Sequence, residues 1–151
     1  MHIEKRAFDH SFETEKHLSD EQMIVDEIHA TSNILARKLP KRDVLDFVLT
    51  TDDEVIGFLE VRGRRCPWSI IENGGFFLPL KKWMRIKEIY NSTGIKTCLV
   101  VVAKDETKKL WIGKHHGLSV KWWGDTRDDK SHDREPMVVI PTFFFEDFQK
   151  R

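Results

Sequence analysis

Apolar residues recur at threes and fours early in the chain, at Met23, Ile24, Ile28, Ile34 and Leu35, the spacing of one buried helix face. Just before them, Ser19-Asp20-Glu21-Gln22 has the form of a capping box. Ser19 would accept from a first-turn amide while Gln22 reaches back to its backbone. The pattern predicts a helix from about 20 to 38, stopped by Pro40. Residues 1–18 hold no sustained period and read as an irregular lead-in.

After Pro40 the pattern changes. DVLDFVLTTDDEVIGFLEVRGR contains two β-rich runs around Asp52-Asp53-Glu54 and predicts a hairpin; its apolar residues fall on both faces, as in central strands covered by helices. Asn73-Gly74-Gly75 marks a loop, and Pro79 suits the first turn of a helix reaching about Ser92 with Gly94 as its stop. Thr97 to Ala103 is a buried strand by composition, with Lys108 to Gly113 as its hairpin partner after Asp105-Glu106. Residues 124–135 form a charged loop before a strand at Met137 to Ile140, and a short helix or tail follows Pro141. No segment repeats. These elements predict an α/β fold, a central mixed β-sheet flanked by helices, with 19–151 as one domain.

A length of 151 residues suits one domain, and 33% charged with 40% hydrophobic residues is an ordinary globular composition. With 25 basic and 25 acidic residues, net charge does not point to nucleic acid. The distribution is less even: from Arg62 to Lys96 the bases include Arg64, Arg65, Lys81, Lys82 and Arg85, against only Glu72 and Glu88. Either a positive surface or a solvated helix face accounts for this run. Two cysteines, Cys66 and Cys98, exclude a disulfide scaffold and a Cys-rich zinc site. The charged N-terminus lacks a signal-peptide core, and no apolar run approaches a membrane span, so a soluble cytoplasmic protein is expected.

The candidate chemistry lies in the hairpin. If Asp52-Asp53-Glu54 is a three-residue turn, Thr51 pairs with Val55 and Asp46 falls opposite Glu60, with Arg62 on the same face. Opposed Cβ atoms in such a pair lie about 4.5–5.5 Å apart, close enough for both carboxylates to bind one cation. Two facing acids in an apolar hairpin repel each other, and a divalent metal removes the conflict. Mg²⁺ (or Mn²⁺) held by Asp46 and Glu60 would keep room for a phosphate oxygen. Glu27 falls inside the first helix's apolar stripe. It is either a carboxylate at the stripe's edge or a third acid aimed at the same metal. The plainer account of the hairpin acids is a strand-end salt bridge with Arg62, and a two-residue turn would move Asp46 to the other face.

The order of a helix bearing Glu27, a strand bearing Asp46, then Glu60-Val61-Arg62 and a following helix and strand resembles the PD-(D/E)XK nuclease superfamily. GFLEVRGR, GFFLPLKKW, LVVVAKDETKKLWIG and the closing EPMVVIPTFFF look like its small resolvase-like or phage-type members, over roughly residues 20–145. The resemblance implies a restriction-endonuclease-like core and Mg²⁺-dependent hydrolysis of DNA phosphodiester bonds. In it Glu27, Asp46, Glu60, Arg62 and Lys82 would be catalytic, and Asp46, Glu60 and Glu27 would hold the metal. Arg62 stands where the superfamily has a lysine that stabilises the phosphorane and helps activate water. Arginine supplies charge and bidentate contacts but not base chemistry. Lysines migrate between elements in this superfamily, so Lys82 or Lys81 would deliver the ammonium from the start of the second helix. The plainer reading makes Lys81, Lys82 and Arg85 its solvated face.

Arg64, Arg65, Lys81 and Arg85 are the expected DNA contacts; the form of the DNA is left open, with branched and single-stranded DNA among the candidates. Adjacent His115 and His116 would point to opposite faces of a strand, and consecutive Ser131-His132-Asp133 cannot form a triad. Of Trp122 and Trp123, one should face the core and at most one be free to stack on bases. Phe143-Phe144-Phe145 reads as core or a homodimer contact. No P-loop is present. Beside the endonuclease reading stand a catalytically impaired nucleic-acid-binding or assembly protein of the same fold, and a protein-interaction domain.

Overall fold

A computed structural model describes residues 2–112, 117–123 and 134–148. A long helix α1 (His2–Thr31) is followed by β1 (Leu35–Lys38), β2 (Phe47–Thr51) and β3 (Glu54–Gly63). Then come α2 (Trp68–Gly74), β4 (Phe76–Pro79), α3 (Leu80–Thr93), β5 (Thr97–Val102) and β6 (Lys108–Ile112). The remainder is β7 (Val120–Trp123), β8 (Glu135–Ile140), a 3₁₀ turn at Thr142–Phe144 and β9 (Glu146–Asp147). The main sheet runs β1-β2-β3-β5-β6-β9, and a second runs β4-β8-β7. Among the described residues only β3 and β5 pair in parallel, so the main sheet is mixed, as the sequence pattern predicts.

Strand alternation divides the core into two layers. Leu59, Val61, Val100 and Val102 point to one face and bury Ile24 and Val25 of α1. Leu99 and Val101 point to the other and pack against Trp83 and Ile86 of α3, with Leu78 of β4 and Val138 of β8 closing that layer. Both faces are covered, which explains why β3 and β5 are apolar on both sides.

The first helix departs from expectation at both ends. It is helical from His2, so residues 2–18 are no irregular lead-in and Ser19 is no cap. Gln22 bonds forward to Asp26 Oδ1 at 2.8 Å rather than back to Ser19. It stops at Thr31, well before Pro40, where Thr31 and Ser32 hydroxyls donate to the carbonyls of Glu27 and Ile28 at 2.8 and 2.7 Å. Such hydroxyls compete for backbone groups and favour helix ends. Leu35 to Lys38 then pairs with β2 instead of continuing the helix.

The hairpin also differs in detail. Its turn has two residues, Asp52 and Asp53, with φ of 51° and 63°, so Thr51 pairs with Glu54 and Thr50 with Val55. A bulge then absorbs one residue of β3, and from Leu49↔Gly57 through Phe47↔Leu59 the ladder runs in the register that sets Asp46 beside Glu60. The expected facing pair survives because bulge and turn compensate. After it, Gly94 ends α3 in the left-handed conformation with φ 76°, as expected. Phe145 packs edge-on against Trp68 and Phe76, while Phe143 is 79% exposed.

Candidate active site

Asp46 precedes β2 by one residue and Glu60 lies near the far end of β3, where the two strands present their acids side by side. The side chains interlock through the backbone. Asp46 N–H donates to Glu60 Oε1 at 3.2 Å, and Val61 N–H donates to Asp46 Oδ2 at 3.2 Å. Each carboxylate thus has one oxygen oriented by the opposite strand. Glu60 is fully buried, and on its Oε2 converge two cations: Lys82 Nζ at 2.7 Å and Arg62 Nη1 at 3.6 Å.

Lys82 reaches this point because of where α3 begins. β4 is locked antiparallel to β8, Pro79 turns the chain, and α3 starts at Leu80, so a residue of its first turn overhangs β3. Lys82 Nζ also donates to Val44 O at 2.5 Å, which anchors it between the loop before Asp46 and Glu60. Of the two lysines the sequence left open, Lys82 is in the site and Lys81 is exposed.

Burial pushes the Glu60 carboxyl above its ordinary range, the Asp46 charge pushes it further, and Lys82 and then Arg62 pull it back. Glu60 Oε2 is buried without a partner at hydrogen-bond geometry among the described residues, so Lys82 meets it as an ion pair rather than along a directed bond. A buried acceptor with spare capacity beside a second carboxylate suits a hard divalent cation. Among the described residues no three His, Cys, Asp or Glu side chains gather closely enough to hold an ion. The protein ligands would therefore be Asp46 and Glu60, the remaining positions going to water or substrate oxygen.

Glu27 does not join them. It lies on the α1 side of the sheet, where its Oε1 accepts from Lys108 Nζ at 2.5 Å, while Glu60 points to the α3 side. The stripe of α1 shows that Glu27 faces inward, but a sheet stands between it and the acids of the hairpin. Glu27→Ala should leave any cleavage unchanged yet cost about 1–3 kcal/mol, since it strands Lys108 in a largely buried site. A thermal melt should fall by roughly 2–4 °C per kcal/mol for a chain of this size.

The expected DNA contacts divide. Arg64 is turned inward: its guanidinium donates to Gly63 O and Phe77 O at 2.8 Å each and lies 4.2 Å from the Phe76 ring centroid. Burial brings it down to about 10. It braces β3 against β4 and is not a surface contact. Arg65 and Lys81 are exposed, and Arg85 is exposed but paired with Glu88 Oε1 at 2.6 Å. His115, His116, Ser131, His132 and Asp133 lie outside the described residues.

Two acids escaped the sequence reading. Asp20 and Glu21 are 2% and 4% exposed on α1. A Cβ at Gly63 would lie 2.6 Å from Asp20 Oδ2, so the glycine next to Arg62 makes room for that carboxylate. Glu21 pairs with Lys38, whose strand partner Phe47 adjoins Asp46. The capping-box reading hid both acids, although Glu21 stands three and seven residues before Ile24 and Ile28 in the buried stripe.

A mixed sheet with α1 on one face and α3 on the other is consistent with a PD-(D/E)XK-like core. A family model described as "Phage putative PDDEXK endonuclease" matches residues 7–148, and the chain belongs to that family. No curated protein and no solved structure matches it. Among the described residues no helix is long and apolar enough to cross a membrane.

Proposed function

We propose that the protein is a divalent-cation-dependent DNA endonuclease whose centre is Asp46, Glu60, Lys82 and Arg62. The observation that carries this reading is the Lys82 ammonium 2.7 Å from Glu60 Oε2, which returns a lysine to a site whose strand motif holds Arg62. Bound Mg²⁺ (or Mn²⁺) would supply Lewis acidity against the phosphate and a lowered pKa for an attacking water. Asp46 and Glu60 hold that charge, their orientation set by the crossed backbone hydrogen bonds. Lys82 places a compact positive charge where the phosphorane oxygens develop theirs. Arg62, its side chain 27% exposed, contacts the scissile phosphate at the rim. Lys81 and Arg65 extend this cationic rim toward the flanking phosphates.

The test is cleavage of supercoiled, linear and branched DNA with Mg²⁺ or Mn²⁺, comparing the wild type with Asp46→Asn. That substitution retains an acceptor for Val61 N–H. Cleavage should need the cation, stop with chelator, and fall at least tenfold in the variant, while DNA binding at low salt persists. The second reading, a catalytically impaired nucleic-acid-binding or assembly protein, is favoured by Arg62 at the lysine position. It gains if wild type and variant bind DNA equally and neither cuts.

A further inference from the structure

Trp122 and Trp123 lie on β7, the terminal strand of the three-stranded sheet, and both are exposed, at 57% and 52%. The expectation that one of them faces the core therefore fails: all residues of β7 are exposed. Indole rings carry 150–250 Å² of burial each, so leaving two neighbours in water forgoes several kcal/mol of stabilisation. The two rings project from opposite sides of the strand. Trp122 stands across from Pro136, and Trp123 stands across from Glu135 with its ring 5.2 Å from that of Phe77.

Two cations lie along the strand. Lys121 precedes the two tryptophans, and Arg134 Nη2 donates to the Trp122 carbonyl at 3.1 Å. A buried contact ties this sheet to the strand of the hairpin acids. Phe77, which supports Trp123, accepts from Arg64 through its carbonyl, and Arg64 directly follows β3, two residues after Arg62.

We infer that Trp122 and Trp123, one on each side of β7, each offer a ring face on which an unpaired base of the DNA substrate stacks. This inference rests on the proposed endonuclease and narrows its substrate to DNA with a single-stranded part. Aromatic faces flanked by Lys and Arg bind bases by stacking and the backbone by charge, with little dependence on sequence. A second copy paired along β7 is a poorer occupant. The strand has four residues and carries a lysine inside it, features that protect an edge from pairing.

The test is binding of a fluorescently labelled oligothymidylate and of a blunt duplex, measured by anisotropy at low salt without divalent cation. Trp122→Ala should weaken the oligothymidylate roughly 5- to 100-fold, as loss of one stacked base does. Blunt-duplex binding should stay within about twofold. Trp122→Phe, which keeps a ring, should recover most of the loss, and Trp123→Ala should behave like Trp122→Ala. Equal weakening of both ligands, no weakening, or no recovery by Phe overturns the stacking. So does a wild-type dimer in sedimentation that Trp122→Ala dissociates, because the face would then belong to a second copy. Cleavage separates the two readings. A wild type that cuts DNA without any tryptophan-dependent strand preference loses the stacking alone. One that never cuts but shows that preference loses the endonuclease alone.

Discussion

Lys82→Met is expected to lower DNA cleavage about 10²- to 10³-fold at neutral pH, the effect of deleting one preorganised donor from a charged transition state. Lys81→Met should change it little, because Lys81 is exposed while Lys82 meets both Glu60 and Val44. The pair of variants therefore decides between the two lysines in one assay. Equal damage from both would sink the assignment of Lys82.

The same change should be visible in stability. The Lys82 side chain is 14% exposed and Glu60 is fully buried, so the variant leaves a buried carboxylate with only Arg62 at 3.6 Å. Breaking a buried pair from one side costs about 3–5 kcal/mol, unless the remaining acid takes up a proton. Removing the larger of the two influences that hold the Glu60 carboxyl down should push it further up. The variant's deficit should then be smaller in mild acid than at neutral pH. Arg62→Lys serves as the opposite control. It restores the strand motif while Lys82 stays in place, and cleavage should be kept or raised.

What the sequence made legible was the set of facing residues, and what it hid was how each comes to face the others. Asp46 lies beside Glu60 as expected, but through a two-residue turn and a bulge, each of which alone would have moved Asp46 to the other face. Turn residues are visible in a sequence; a compensating bulge at Val55–Gly57 is not, because it is stabilised by the ladders on either side. Glu27 illustrates a second limit. Helical periodicity reveals which residues face inward, but not which side of a sheet the helix covers. That is settled by Leu59 and Val61 pointing toward α1 while Glu60 points away. Lys82 was legible only as one of two neighbours. The choice depends on where α3 begins, and that is set by β4 pairing with β8, some sixty residues later in the chain. The long α1 was missed for a related reason: residues 1–18 carry no sustained apolar period, so none announces the helix.

Glu60→Gln is expected to abolish cleavage and yet raise the melting temperature at neutral pH in the absence of divalent cation. The folded protein holds the Glu60 carboxyl above its ordinary value of 4.5, chiefly through burial and then through Asp46. A raised acid makes the native state bind more protons than the unfolded chain. Its contribution to stability is complete below the unfolded value and is lost as pH rises through the folded one. Glutamine does not titrate and sheds that penalty. The variant's advantage should therefore grow as pH climbs above 4.5 and level off once Glu60 is ionised. Each kcal/mol gained should appear as roughly 2–4 °C in a melt. Saturating Mg²⁺ should raise the melting temperature of the wild type and not that of the variant, since a ligand stabilises only the state that binds it. A variant less stable than wild type at every pH would mean that the Lys82 ion pair outweighs burial. Glu60 would then be a structural charge rather than one held in readiness for a cation.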